Sequence, residues 1–133
     1  MKRTFGALLV GLGLVVSAGS LAAHHSFAAE YDASKPVTLK GAVSKIEWTN
    51  PHARFYIDVK DAAGAVTTWN LELASPNVLT RNGWTRNSLK IGDQVTVEGA
   101  MAKDGSNMAN ARAVVLADGR RVFAGSSADA PNQ

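Results

Sequence analysis

Between residues 37 and 124 the chain alternates apolar and polar side chains in short runs, broken repeatedly by Gly, Pro, Asn or Asp. Period-two runs of this length are half-buried β-strands, each hiding one face and wetting the other. Residues 54–60 are the cleanest case: Phe55, Ile57 and Val59 share one face, and Arg54, Tyr56 and Asp58 the other. Asp61-Ala62-Ala63-Gly64 reads as a hairpin loop, with Gly supplying a positive φ. Residues 66–73 return with Trp69, Leu71 and Leu73 inward and Thr68, Asn70 and Glu72 outward. Ser75-Pro76-Asn77 is a helix start, with Ser at the N-cap and Pro in the first turn, and Asn82-Gly83 stops it after one or two turns. Further strands are expected over 94–102, 108–116 and 121–124.

The first strand signal, residues 37–48, is the longest and changes phase between Val43 and Ile46. A flat strand cannot do that, but a strand with a bulge or sharp coil can. Val37-Thr38-Leu39-Lys40-Gly41-Ala42-Val43 is echoed by Val95-Thr96-Val97-Glu98-Gly99-Ala100-Met101. Both stretches alternate and then reach a Gly, as a small barrel needs where strands bend hard or backbones approach closely. Three strands, a short helix and then two strands is the order of an OB-fold. The expected class is therefore all-β: a small OB-fold-like barrel of five to six strands with one short helix between strands three and four. An SH3-like barrel or flattened sandwich is the alternative.

The N-terminus reads differently. Met1-Lys2-Arg3 is basic, residues 6–16 are apolar, and residues 17–23 are small and neutral. This is the order of a secretory signal; an uncleaved membrane anchor is the alternative. The expected organisation is a signal peptide over 1–22 with cleavage after 22 or 23, an extended segment over 23–36, the barrel over 37–124 and a flexible tail over 125–133. Periplasmic or secreted localisation follows. There is no cysteine, so neither a disulfide nor a lipoprotein anchor is expected, and no membrane attachment after cleavage.

Loss of Lys2 and Arg3 takes the formal charge from +3 to +1. No run of Lys or Arg remains, which argues for no nucleic-acid partner. A monomer is expected, with a small ligand or a periplasmic protein as the partner.

Two of the three histidines, His24 and His25, stand at the expected mature N-terminus. A chain starting at Ala23 offers its amine, two backbone nitrogens and His25 as square-planar donors, which suit Cu(II) or Ni(II). A chain starting at His24 chelates through its amine and imidazole, and His52 can add a nitrogen. The metal candidates are thus His24, His25 and His52, with Cu(II) the candidate cofactor. The simpler alternative makes the pair a polar start to an ordered segment. Asn50-Pro51-His52 forms the loop between strands one and two, which flanks the usual ligand face of an OB-fold. The candidate ligand face comprises Asn50, His52, Arg54, Tyr56, Asn70 and Glu72; its mixed charge with one aromatic suits a small polar ligand. No catalytic constellation is present: Ser26 beside His25 is adjacency, and no Gly-x-Ser-x-Gly elbow occurs. A non-enzymatic binding protein is expected. A copper-dependent oxidase is the minor alternative.

His25-Ser26-Phe27, Asn50-Pro51-His52, Trp69 with Glu72, the helix end over 79–83, Gly92-Asp93 with Val95, Val97 and Gly99, and Asp104-Gly105 followed by Arg112 resemble a group of small exported bacterial proteins known as a domain of unknown function. The resemblance spans residues 25–123. It implies a small OB-like barrel behind a signal peptide and implies no established activity.

Overall fold

The computed structural model describes residues 27–125. The chain divides into two units, Met1–Glu30 and Tyr31–Gln133. Of the first, residues 27–30 are described and are helical. The expected signal segment, His24, His25 and residues 126–133 of the expected tail lie outside the described residues.

Over its described residues the second unit runs β1 (Tyr31–Glu47), β2 (Arg54–Lys60), β3 (Val66–Glu72), α1 (Pro76–Arg81), β4 (Gln94–Ala102), β5 (Met108–Val115) and β6 (Arg121–Phe123). The sheet order is β3-β2-β1-β4-β5-β6, and a further β3–β5 pairing closes it. That closing pair is parallel, while every other pair is antiparallel. A three-strand meander, a short helix and two strands that return to close on β3 make an OB-fold. β6 extends the sheet beyond the closure.

Alternation fills the barrel. Leu39 and Val43 of β1, Phe55 and Ile57 of β2, Leu71 of β3, Val95 and Val97 of β4, and Ala109, Ala111 and Val114 of β5 form one buried cluster. The phase change in β1 is a bulge. Val43 pairs with Ile57 and Lys45 pairs with Tyr56, so Ser44 is the extra residue. Val43 and Ile46 therefore both turn toward the core, and Lys45 and Glu47 both turn outward.

β1 also begins earlier than its sequence signal. Tyr31 and Asp32 pair with Ala102 and Met101 of β4, and the register shifts between Asp32 and Pro36. Pro36 lacks an N–H, but at an irregularity in the ladder that omission is harmless. The segment expected to be extended over 23–36 is thus helical at 27–30 and part of β1 from Tyr31.

The helix closes one end of the barrel. The Ser75 hydroxyl accepts the Val78 N–H at 3.4 Å, Pro76 occupies the first turn, and Leu79 is fully buried. Trp84 follows into the core, and its Nε1–H donates to the Phe123 carbonyl at 2.8 Å.

Candidate functional site: the outer face of β1, β2 and β3

The outward side chains of three neighbouring strands fall into rows. Glu47, Arg54 and Glu72 stand directly opposite one another across β1, β2 and β3. Lys45, Tyr56 and Asn70 form the adjacent row, and Asp58 faces Thr68 in the next. Directly opposed side chains in a sheet lie close enough to interact. Here they do. Arg54 donates to Glu72 Oε2 and, through Nη1, to Asn70 Oδ1 at 3.2 Å. Lys45 pairs with Glu47 at 2.6 Å, and its Nζ sits 5.0 Å from the centre of the Tyr56 ring. The Thr68 hydroxyl donates to Asp58 at 2.7 Å.

The start of β1 also ties into this face. The Tyr31 hydroxyl, at the start of β1, donates to Glu72 Oε2 at 3.1 Å. Tyr31 is 2 % exposed yet lies outside the core cluster. Burial, and then the Glu72 carboxylate beside it, push the Tyr31 phenol well above its ordinary pKa; the Arg54 guanidinium opposes the shift. Glu72 is the one polar or charged residue among the described residues that is buried. A charge so placed needs partners, and Arg54 and Tyr31 supply them.

The loop between β1 and β2 carries the described histidine. His52 is half-buried, and its Nδ1 lies 3.0 Å from the Leu73 carbonyl. A carbonyl can only accept, so Nδ1 carries the proton and the lone pair of the neutral ring is on Nε2. Asn50 is exposed and joins none of these contacts. The crevice beside the loop, lined in part by Ile46, Trp48, Leu73 and Trp84, has no room for a water molecule. A wider groove of about 400 Å³ lies between the residues after α1 and the β5–β6 turn, and no expected site residue lines it. Among the described residues no group of three or more His, Asp or Glu is placed to hold a metal ion.

The structure thus brings Arg54, Tyr56, Asn70 and Glu72 onto one face, as alternation predicts. It holds His52 at the head of that face and leaves Asn50 apart. Sequence reasoning missed Tyr31, Lys45 and Glu47. The last two carried a usable signal, because a bulge between residues 43 and 46 turns 45 and 47 outward. Tyr31 carried none, since no periodic run surrounds it.

A sequence profile for a family of unknown function matches residues 12–111. The chain belongs to that family, DUF6152. Membership in DUF6152 assigns no activity, and no curated protein matches the chain. Among solved structures, the DUF6152 chain is similar in fold to the mitochondrial single-stranded DNA binding protein Rim1 of S. cerevisiae. The TM-score is 0.48 and the identity 15 %, over 62 % of this chain and 92 % of that one. It is also similar to the dimeric N-terminal domain of the PriB protein of Thermoanaerobacter tencongensis, with a TM-score of 0.43 and 18 % identity over 62 % of this chain and 96 % of that one. The descriptions of these neighbours, a single-stranded DNA binding protein and a dimeric domain, run against two expectations, the absence of a nucleic-acid partner and the monomer; for this chain the likeness itself shows the fold alone. The exclusion rested on the lack of a linear Lys/Arg run, but a barrel surface is assembled across strands. Lys45 and Arg54 lie on different strands and stand in adjacent rows of one face, where each is paired with a glutamate.

Proposed function

We propose that this DUF6152 chain is an exported, non-enzymatic binding module whose ligand lands on the outer face of β1, β2 and β3. The observation that carries the reading is the Tyr56–Asn70 pair. The two side chains are directly opposed on the outer face. Tyr56 is half-exposed under the Lys45 ammonium, and Asn70 gives its oxygen to Arg54 while its amide hydrogens remain available. An aromatic ring beside an amide donor suits a polar ligand that carries a ring, stacked on Tyr56 and hydrogen-bonded by Asn70. The surrounding charges are already paired, so they position the ring rather than attract a particular ion. Export rests on the basic, apolar and small-residue order of residues 1–23, and with it periplasmic or secreted localisation.

The test is NMR titration of the processed protein with neutral oligosaccharides and with short single-stranded oligonucleotides. Binding should shift the Tyr56, Asn70 and His52 amides, and Tyr56→Ala should weaken it at least tenfold with the fold intact. Shifts confined to another face, or binding indifferent to Tyr56→Ala, would overturn the assignment.

A second reading is a divalent-metal site, with Cu(II) as the ion. It is favoured by the His52 ring, whose Nδ1–H is anchored on the Leu73 carbonyl in the manner of a metal ligand's outer-shell contact, leaving Nε2 to coordinate. The other two metal candidates, His24 and His25, lie outside the described residues. Electron paramagnetic resonance of the processed protein with Cu(II) discriminates it: a stoichiometric nitrogen-ligated signal lost in His52→Ala supports it, and weak signals unaffected by that change exclude it.

A further inference from the structure

The first half of β3 has one unpaired edge. β3 pairs with β2 along its whole length, from Val66 opposite Lys60 to Glu72 opposite Arg54. On its other side it pairs with β5 at Asn70, Leu71 and Glu72 alone. Two bonds fix the parity of the ladder. The Asp61 N–H donates to the Ala65 carbonyl, and the Leu73 N–H donates to the Ala53 carbonyl. Odd-numbered residues of β3 therefore turn their backbone groups toward β2, and even-numbered residues turn theirs away. Asn70 agrees, since its N–H reaches the Asn107 carbonyl on the far side. Val66 and Thr68 must then direct their N–H and C=O groups away from β2, where no strand faces them among the described residues.

This edge lacks the usual guards. Natural proteins blunt open strands with Lys, Pro or a bulge. Residues 62–68 here read Ala-Ala-Gly-Ala-Val-Thr-Thr, with no charge and no proline. Thr67 and Thr68 are exposed, and Val66 is 53 % exposed, one of two large apolar side chains left in water among the described residues.

We propose that this edge is an interface for a second copy of the same chain. The register closes on itself. An antiparallel pairing centred on Thr67 sets Val66 of each copy opposite Thr68 of the other. Both are outward-bonding residues, so the contact forms four backbone hydrogen bonds about a twofold axis. It places no charge opposite a like charge, and it covers Val66 with the partner's Thr68. The two hairpins then join as a four-stranded sheet that leaves the outer face around Tyr56 open on each copy.

The test is analytical ultracentrifugation of the processed chain across a concentration series, with amide exchange read by NMR. A concentration-dependent dimer is expected, with the Val66 and Thr68 amides gaining protection as it forms. Thr67→Lys sets two ammonium groups opposite each other on the axis and should weaken dimerisation at least tenfold. Thr67→Glu should do the same alone, and an equimolar mixture of the two variants should restore it. That restoration separates loss of pairing from loss of fold. A chain that stays monomeric at every concentration overturns the proposal, as does a dimer indifferent to both variants. Protection of Val66 and Thr68 that appears only with an added extended peptide would overturn the second copy as the occupant.

Discussion

Replacing Gly99 with alanine is expected to destabilise the barrel by about 3 kcal/mol, the upper part of the range for overpacking a close-packed interior. A Cβ at Gly99 would lie 2.1 Å from the Asn110 carbonyl oxygen and 2.9 Å from its carbon. Both are backbone atoms of β5, so no side chain can rotate aside; the ladder itself must open. Gly99 also sits where the β4–β5 register shifts, with Glu98 opposite Ala113 and Gly99 opposite Ala111. Gly41 is the counterpart on β1, with a Cβ falling 2.4 Å from the Asp58 oxygen. Gly64 is the control. Its φ of 87° disfavours alanine, but nothing lies within 4 Å of the added carbon, so Gly64→Ala should cost about 1 kcal/mol. Urea denaturation of the three variants checks the order. Gly99→Ala no worse than Gly64→Ala would mean that the strands part freely there, and the tight closure would lose its explanation.

The echo of Val-Thr-x-x-Gly makes those two glycines legible in the sequence. Each stands where an inward row should carry a large side chain, and steric exclusion is the reason a barrel would leave one out. The β1 bulge is legible in the same way, because Val43 and Ile46 cannot face one core on a regular strand. The early start of β1 is not. Tyr31 and Asp32 owe their strand conformation to partners on β4, and tertiary pairing leaves no trace in local pattern when the run is short and Pro36 interrupts it.

The face is half legible. Alternation places Arg54, Tyr56, Asn70 and Glu72 together, since side-chain period alone decides which residues share a side. It cannot reveal how they combine. As separate residues they suggest two charges and two polar groups open to a ligand. As a row, Arg54 is held by Glu72 and Asn70, which leaves Tyr56 and the Asn70 amide as the groups with capacity to spare. Cross-strand register decides this, and register follows from the turns and bulges rather than from composition.

Glu72→Ala is expected to cost about 2–3 kcal/mol, somewhat less than breaking a fully buried ion pair, because Arg54 keeps some access to water. The side chains of Arg54 and Glu72 are 26 % and 11 % exposed. Removing the carboxylate strands the guanidinium at a half-covered site and takes the acceptor from the Tyr31 hydroxyl. Tyr31→Phe deletes that hydroxyl alone and should cost about 1 kcal/mol, the typical value of one hydrogen bond. The two variants also differ in pH dependence. In the folded chain burial and Glu72 hold the Tyr31 proton above its ordinary pKa of 10.0. The unfolded chain releases that proton near 10.0, so wild-type stability should fall as pH rises past that value. Tyr31→Phe should lose that contribution to the alkaline fall, and Glu72→Ala should reduce it by removing one of its causes. Chemical denaturation between pH 8 and pH 11, a range set around the ordinary phenol pKa of about 10, reads all three curves. Parallel wild-type and Tyr31→Phe curves would mean that the phenol is not held as described, and that the start of β1 is not fastened to the binding face through Glu72.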